Sequence, residues 1–540
     1  MQNIKSGITF GIIAGLITFL FGGWSVAVMA LFMGTGLGLL LSGRLARVYK
    51  PIDNDSALSA RIILTLKSMF NSGKRALPTA LTAGGVLVVF SLIQNFVVNR
   101  ALGKYVEDFN FVLGANIISL LITIVFTTLT ASFRGLSERQ EGAARLILLA
   151  FIVVAFPFID RFTELRWTAQ IIFALIFVIL GLGLNIVVGY AGLLDLGYAA
   201  FFAIGAYTTG ILSSPVHNIQ MNFWLVIWIA AAMAAVWGLL LGAPTLPLRG
   251  DYLAIVTLGF GEIVPVLFKN LIDVTIKEPL TCWILPLFRL QTTCITFVSH
   301  EDLTLGEKGI SPIGRPYLPF VGEFESSNPI TWYFLIVAII LLSIFLINRM
   351  RESRLGRAWM AIREDELAAA QMGINPVQTK LLAFAMGATF SGFAGAFYAA
   401  YIRGIFPSVF DFSASIIILS CVILGGLGNV NGVIVGGLVL MTADRLFLPA
   451  LKDFLSALLT NTILPSISNP VVQLAVKDNA NPILYRFLLF GLTLVIMMAV
   501  RPEGLLPSAQ IRQEMHSAEE GANTPESSQK AGMKRQEAVK

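Results

Sequence analysis

The chain has 540 residues, of which 56% are hydrophobic and only 13% charged, with a formal net charge of +6. A soluble protein carries about twice that share of charge, so the composition excludes a water-soluble multidomain chain and predicts an all-α, polytopic integral membrane protein. Unbroken apolar runs such as Trp332 to Ile347 do not fit the alternating ten-residue segments of a membrane β-barrel. The basic excess sits in loops, where it reads as membrane topology rather than nucleic-acid binding.

The first apolar run, Gly7 to Gly23, is followed directly by a second, Ser25 to Gly43, and the pair is expected to be a retained hairpin rather than a cleaved signal. Gly7, Gly11 and Gly15 recur every fourth residue, a spacing that lets helices approach closely in lipid. The loop at 44–79 carries seven Arg/Lys against Asp53 and Asp55, and Leu58, Ile62, Ile63, Leu66, Met69 and Phe70 fall on one helical face. That pattern fits either an interfacial helix or a plain linker. Further spans are expected near 80–99, 112–132 and up to Phe158. From Trp167 the spans become short and glycine-punctuated, near 169–190, 193–213, 223–242 and 252–271.

A polar segment, 272–329, holds seven acidic and four basic residues and carries Cys282 and Cys294. After a span at 330–348 comes a second polar stretch, Arg349 to Lys380, with six basic and four acidic residues. Spans near 381–401, 412–427, 428–446 and 483–500 complete a count of about fourteen (12–14). Residues 508–540 lack an apolar pattern and are expected to form a disordered cytoplasmic tail. Loop 44–79 nets +5, the 349–380 island +2 and segment 272–329 −3, which places the first two in the cytoplasm and the third outside. Cys282 and Cys294, twelve residues apart on the oxidising side, form either a disulfide or two free thiols.

No phosphate-binding loop of the Gly-x4-Gly-Lys-Ser/Thr type occurs, and GGLGNVNG (425–432) joins two apolar spans rather than a strand and a helix. The cysteines and histidines lack metal-ligand spacing, and no catalytic constellation or cofactor site is evident. What remains are polar residues within apolar spans, which usually face protein or a water-filled path. Asn185 and Asp195 flank a glycine-rich break that includes Gly192, while Asp251 opens LRGDYLAIVTLGFGEI and Glu262 lies deeper in the same span. Such residues could line a translocation path at a broken helix. Asp195 and Asp251 fit helix capping equally well, and Glu262 could instead pair with Lys269 or another span.

The stretches GLNIVVGYAGLLDLGYAAFFAIGAYTTGIL (183–212), LRGDYLAIVTLGFGEI (248–263), SRLGRAWMAIREDELAAAQMGINP (353–376), LLAFAMG through NGVIVGG (381–437) and RPEGLLP (501–507) occur in this order. Together they resemble the larger permease subunit of branched-chain amino acid ABC importers, the LivM-like family. The resemblance implies a permease core over 166–507 and an N-terminal membrane-spanning extension over 1–165, as found on some members. It also implies that the 349–380 island is the segment that couples to an ATPase, through Gly356, Arg357, Arg363, Glu364, Asp365, Glu366, Ala369 and Gly373.

The implied partners are a second related permease subunit forming a heterodimer, two ATP-binding subunits, an extracytoplasmic solute-binding protein and an amino-acid solute. The implied location is the bacterial inner membrane. ATP chemistry would belong to the partner, and this chain would not be an enzyme. The chain departs from the family pattern after GFGEI, where GEKGI (306–310) is displaced by an extra segment over 278–302. A permease for urea or short amides, and a secondary transporter coupled to an ion through Asp195 or Glu262, are the alternatives.

Overall fold

The computed structural model describes residues 2–18, 25–44, 58–99, 109–245 except 218, 251–277 except 273, 296–463 except 320, 321 and 326, and 481–506 except 502, with isolated residues 21, 473 and 479. Cys282, Cys294 and the expected tail lie outside the described residues. In chain order the helices are α1 (Gln2–Thr18), α2 (Ser25–Arg44), α3 (Leu58–Leu92), α4 (Phe109–Ser132), α5 (Glu138–Thr163), α6 (Trp167–Leu184), α7 (Ala199–Ser213), α8 (Phe223–Thr245) and α9 (Asp251–Asn270). Two small antiparallel pairs follow, β1 (Val274–Lys277) with β2 (Thr296–Glu301) and β3 (Tyr317–Leu318) with β4 (Gly322–Glu323). Then come α10 (Pro329–Glu352), α11 (Arg354–Glu364), α12 (Glu366–Gln371), α13 (Pro376–Ile402), α14 (Phe412–Gly425), α15 (Val430–Thr442), α16 (Leu448–Leu458) and α17 (Arg486–Val500).

Among the described residues, ten helices are long and apolar enough to cross a membrane, and four further apolar helices span 10–17 residues. Length therefore supports ten of the fourteen expected spans outright. The fifteen residues of α7 would reach only about 22 Å, short of a hydrocarbon core of about 30 Å. Protein encloses nearly all of it, so it behaves as a core element rather than a lipid-facing span.

The chain divides into two compact units, Met1–Gln170 with Ala443–Phe487, and Ile171–Thr442 with Leu488–Lys540. In the first, α1 packs on α3 through its glycine row: a Cβ on Gly11 would come within 2.8 Å of Val86 Cβ, and one on Gly15 within 2.6 Å of the Phe90 ring. The expected interfacial helix is not a separate element, because α3 runs unbroken for 35 residues with Pro78 inside it. Its Ile63, Leu66 and Phe70 face outward, while Ser68 and Ser72 are buried and the Ser68 hydroxyl donates to the Gly135 carbonyl. The reason is physical: lipid already satisfies apolar side chains, so small and hydroxylated residues are left to bring helices together. At the end of α5 the buried Asp160 carboxylate accepts from the backbone N–H groups of Trp167 (2.9 Å) and Thr168 (2.8 Å), satisfying the open donors at the start of α6.

In the second unit the long α13 is the axis. Its small residues admit α8 and α7 to backbone distance, with Gly392 against Ala231 and Gly395 against Phe202 and Ala206. Antiparallel α14 and α15 meet through Gly425, Gly432 and Gly436, so these glycines serve helix packing. Described residues of the polar 272–329 segment pack against one end of this bundle. Ile310 and Ile405 exchange two backbone hydrogen bonds of 3.1 Å, and Ser214 donates to the Pro312 carbonyl at 2.8 Å. Gly309 of GEKGI lies where a Cβ would meet the Ile405 carbonyl carbon at 3.0 Å, which is why that short motif keeps its glycine. The 349–380 island lies at the opposite end of α10.

Candidate functional site

The island is a folded helical hairpin. Ser353 breaks the chain out of α10 and caps α11 by accepting from the Gly356 N–H at 3.3 Å. Gly356 sits so close to the Met350 and Arg351 carbonyls that a side chain there would collide with backbone. One face of α11 buries Gly356, Trp359 and Ile362, and the Trp359 indole donates to the Thr379 carbonyl at 2.9 Å. Asp365 ends α11 and caps α12, its Oδ1 accepting from Leu367 N–H (2.8 Å) and Ala368 N–H (3.0 Å). Ala369 is the buried residue of α12, and Gly373 closes the turn with φ of +87°. Asn375 then caps α13, with Pro376 in the first turn.

The charges expected to face a partner divide into two groups. The Glu366 carboxylate lies 2.7 Å from the Lys380 ammonium, an ion pair that ties α12 to the first turn of α13. Arg363, itself exposed, donates through Nη1 to the Gly189 carbonyl. Arg357 stays on the surface, bonded to the Glu352 carbonyl at 2.8 Å, and Glu364 is exposed with no hydrogen bond or ion pair among the described residues. Hydropathy alone missed four outward apolar residues on this polar element, Leu355, Leu367, Met372 and Val377, of which Leu367 (69% exposed) and Met372 (84%) stand out furthest.

Arg363 leads to the second part of the site. After α6 the chain forms a π-helical turn, Asn185–Tyr190, and then runs without helix from Ala191 until α7 begins at Ala199. Asn185 is fully buried and its Oδ1 accepts from the Gly428 N–H at 2.9 Å, joining this turn to the hairpin between α14 and α15. Gly192 (φ +70°) and Gly428 (φ +74°) both need the left-handed region. A Cβ on Gly192 would stand 2.8 Å from Arg363 Cγ, and one on Gly428 3.5 Å from Arg363 Nη1. Three glycines, 189, 192 and 428, thus form the groove in which the Arg363 side chain lies. The structure brings Arg363, Asn185 and Gly192 into one contact set, although sequence reading placed the arginine in the island and the other two in the path.

Asp195 is buried on the other side of this break. Its Oδ1 accepts from the Gly197 N–H at 2.9 Å, starting the turn into α7, while Leu196 donates to Thr257 Oγ1 of α9 at 3.1 Å. That is a capping role one turn ahead of the helix. Its Oδ2 accepts no hydrogen bond among the described residues. Asp251 is the first residue of α9, and Glu262 points outward from the middle of that helix. Lys269 pairs with Glu307 at 3.9 Å rather than with Glu262. The described residues contain no group of three side chains arranged to hold a metal ion.

Over residues 167–497, which include the helix break, its arginine and the hairpin, the chain matches the family described as branched-chain amino acid transport system, permease component. The chain belongs to that permease family. It is 36% identical over 383 residues to the high-affinity branched-chain amino acid transport system permease protein LivM of Escherichia coli (strain K12), covering 67% of this chain and 74% of the relative. The probable branched-chain amino acid transport permease protein LivM of Methanocaldococcus jannaschii is 22% identical over 369 residues, 62% of this chain and 92% of the relative. The LivH permease protein of Salmonella typhimurium is 32% identical over 127 residues, 24% of this chain and 40% of the relative. No solved structure matches the chain. The permease is a multi-pass inner-membrane protein, and the expected all-α polytopic class holds.

Proposed function

We propose that the permease is the membrane-spanning subunit of an ATP-driven importer that carries leucine, isoleucine and valine inward. It acts with a second related permease subunit, two ATP-binding subunits and an extracytoplasmic solute-binding protein. The observation that carries this reading is the Arg363 contact between the polar island and the broken end of α6. A long cytoplasmic hairpin pinned to a helix break has the form needed to pass a partner's motion into the membrane.

The ATPase docks on the outer surface of α11 and α12, where Leu367 and Met372 offer apolar anchors and Arg357 and Glu364 offer unburied charges. Gly373 sets the turn that presents Met372, and Asp365, Glu366 and Ala369 hold the hairpin in shape from within. When ATP binding draws the ATPases together, the hairpin moves with them. Arg363 transmits the shift to the Gly189 carbonyl, and Asn185 passes it to the Gly428 turn. The glycines at 189, 192 and 428 absorb the change in backbone angle, so the path opens alternately to the two faces. Asn185, Asp195 and Asp251 lie along the elements that rearrange.

Uptake of labelled leucine into cells carrying the complete assembly tests this reading. Uptake should require the ATPase subunits and the binding protein together. Uptake by this chain alone, abolished by an ionophore and unaffected by loss of the ATPase, would overturn it.

A further inference from the structure

The RPEGLLP stretch (501–507) has no part in the coupling route through Arg363 and Asn185, yet it folds back onto the turn that this route reaches. The Leu505 N–H donates to the Leu424 carbonyl at 2.9 Å, and the Leu506 N–H to the Gly425 carbonyl at 3.0 Å. Both acceptors lie in the last turn of α14, where helical carbonyls have no intrahelical partner. From the other side of the turn, Asn429 Nδ2 donates to the Leu506 carbonyl at 2.8 Å, while Asn429 Oδ1 accepts from the Asn431 N–H at 3.1 Å. Gly504 makes this approach possible: its φ is +86°, and a Cβ there would stand 2.6 Å from Gly426 Cα. The Leu505 side chain packs against the core cluster that includes Leu424, Leu440 and Phe490, which binds the end of α17 to the same hairpin.

Capping α14 accounts for the two backbone bonds but not for the Asn429 donor. The Asn429 oxygen alone serves the start of α15, and its amide nitrogen reaches across 77 positions to Leu506. The place of these bonds gives the reason. Gly426 (φ +117°) and Gly428 (φ +74°) leave the turn without side chains to stiffen it. The same turn offers the Gly428 N–H to Asn185 and lies against Arg363. A pull on Gly428 would bend so pliant a turn before it moved the helices behind it. Bonds at 424, 425 and 429 bracket Gly428 and remove that freedom, so that α14, α15 and the end of α17 respond together.

We propose that residues 503–506 are a fixed anchor for the Gly428 turn, and that Asn429 is the positioning residue that holds it. The proposal rests on the reading of Arg363 and Asn185 as the coupling route, and it gives the C-terminal end of α17 a share in that motion.

The test uses the full chain in its complete assembly, reconstituted in lipid. Asn429→Asp keeps an oxygen to cap α15 and removes the donor to Leu506. Loss of this bond should speed amide exchange over residues 504–506 about ten-fold, with exchange over 433–440 of α15 unchanged. Gly504→Ala disturbs the same contact from its other partner, because the new Cβ meets Gly426. Leu506→Ala is the control, since that side chain is 41% exposed and its bonds here are made by the backbone. In both anchor variants leucine moved per ATP should fall several-fold, while ATPase co-purification and the KM for leucine-loaded binding protein stay at parent values. The control should match the parent in every readout. Unchanged exchange in both anchor variants would overturn the anchor. Faster exchange with an unchanged leucine-to-ATP ratio would overturn the positioning role. A parent assembly that moves no leucine would count against the functional reading, and the exchange readout would still decide the anchor.

Discussion

Glu366→Gln removes the carboxylate that sits 2.7 Å from the Lys380 ammonium. The lysine side chain is 6% exposed and the glutamate 31%, so the cation keeps its desolvation while losing its counter-charge. Breaking a fully buried pair costs about 3–5 kcal/mol, and screening of the partly exposed glutamate brings the expected cost here to about 2 kcal/mol. The pair joins α12 to α13, so the cost falls on local docking of the hairpin rather than on the whole fold. About 2 kcal/mol raises the detached population roughly 30-fold, which hydrogen exchange over residues 365–374 would register as faster amide exchange. Adding Lys380→Met to the same chain removes the stranded cation and should recover most of the protection. Exchange in Glu366→Gln indistinguishable from the parent, or no recovery in the double variant, would refute the assignment of the pair as the hairpin's internal tie.

Arg363→Ala removes a charge-assisted bond to the Gly189 carbonyl, worth about 1.5–3 kcal/mol. It should leave the ATPase bound and active while leucine transported per ATP falls, and an unchanged ratio would contradict the transmission role. Leu367→Asp with Met372→Asp alters only exposed side chains, so insertion should be normal. Each side chain buried in a partner would contribute about 1.5–3 kcal/mol, so ATPase affinity should weaken by about two to four orders of magnitude, and unchanged co-purification would move the docking surface elsewhere. Asp160→Ala leaves the Trp167 and Thr168 amides without their acceptor and should cost about 2 kcal/mol, read as a lower melting temperature of the solubilised chain. An unchanged melting temperature would mean that water replaces the carboxylate at no cost.

Much of the architecture was legible because solvation is a local property of residues. The apolar runs, the polar island and the break near Gly192 could each be placed from the residues alone. For the loop at 44–79 the residues left an interfacial helix and a plain linker both open, and the structure instead runs α3 on from Leu58, because an apolar stripe identifies a face but not its neighbour. In α3 that stripe points outward, and the serines make the packing contacts.

The Arg363 link to Gly189 had no signature in the chain. The two residues are 174 positions apart and the acceptor is a backbone carbonyl, a group that every residue possesses. Glu366 and Lys380 resembled two more surface charges because their separation of fourteen positions conceals their meeting. By itself, then, the sequence determined which segments are apolar, where along the chain the polar hairpin falls and which family signature runs through them. Only the tertiary structure decided which charges find partners within the fold, which apolar side chains stay exposed on the hairpin, and that Arg363, Asn185 and Gly192 belong to one contact set. The reason is that burial cost accumulates residue by residue along the chain, whereas a hydrogen bond to backbone depends on where the fold brings that backbone.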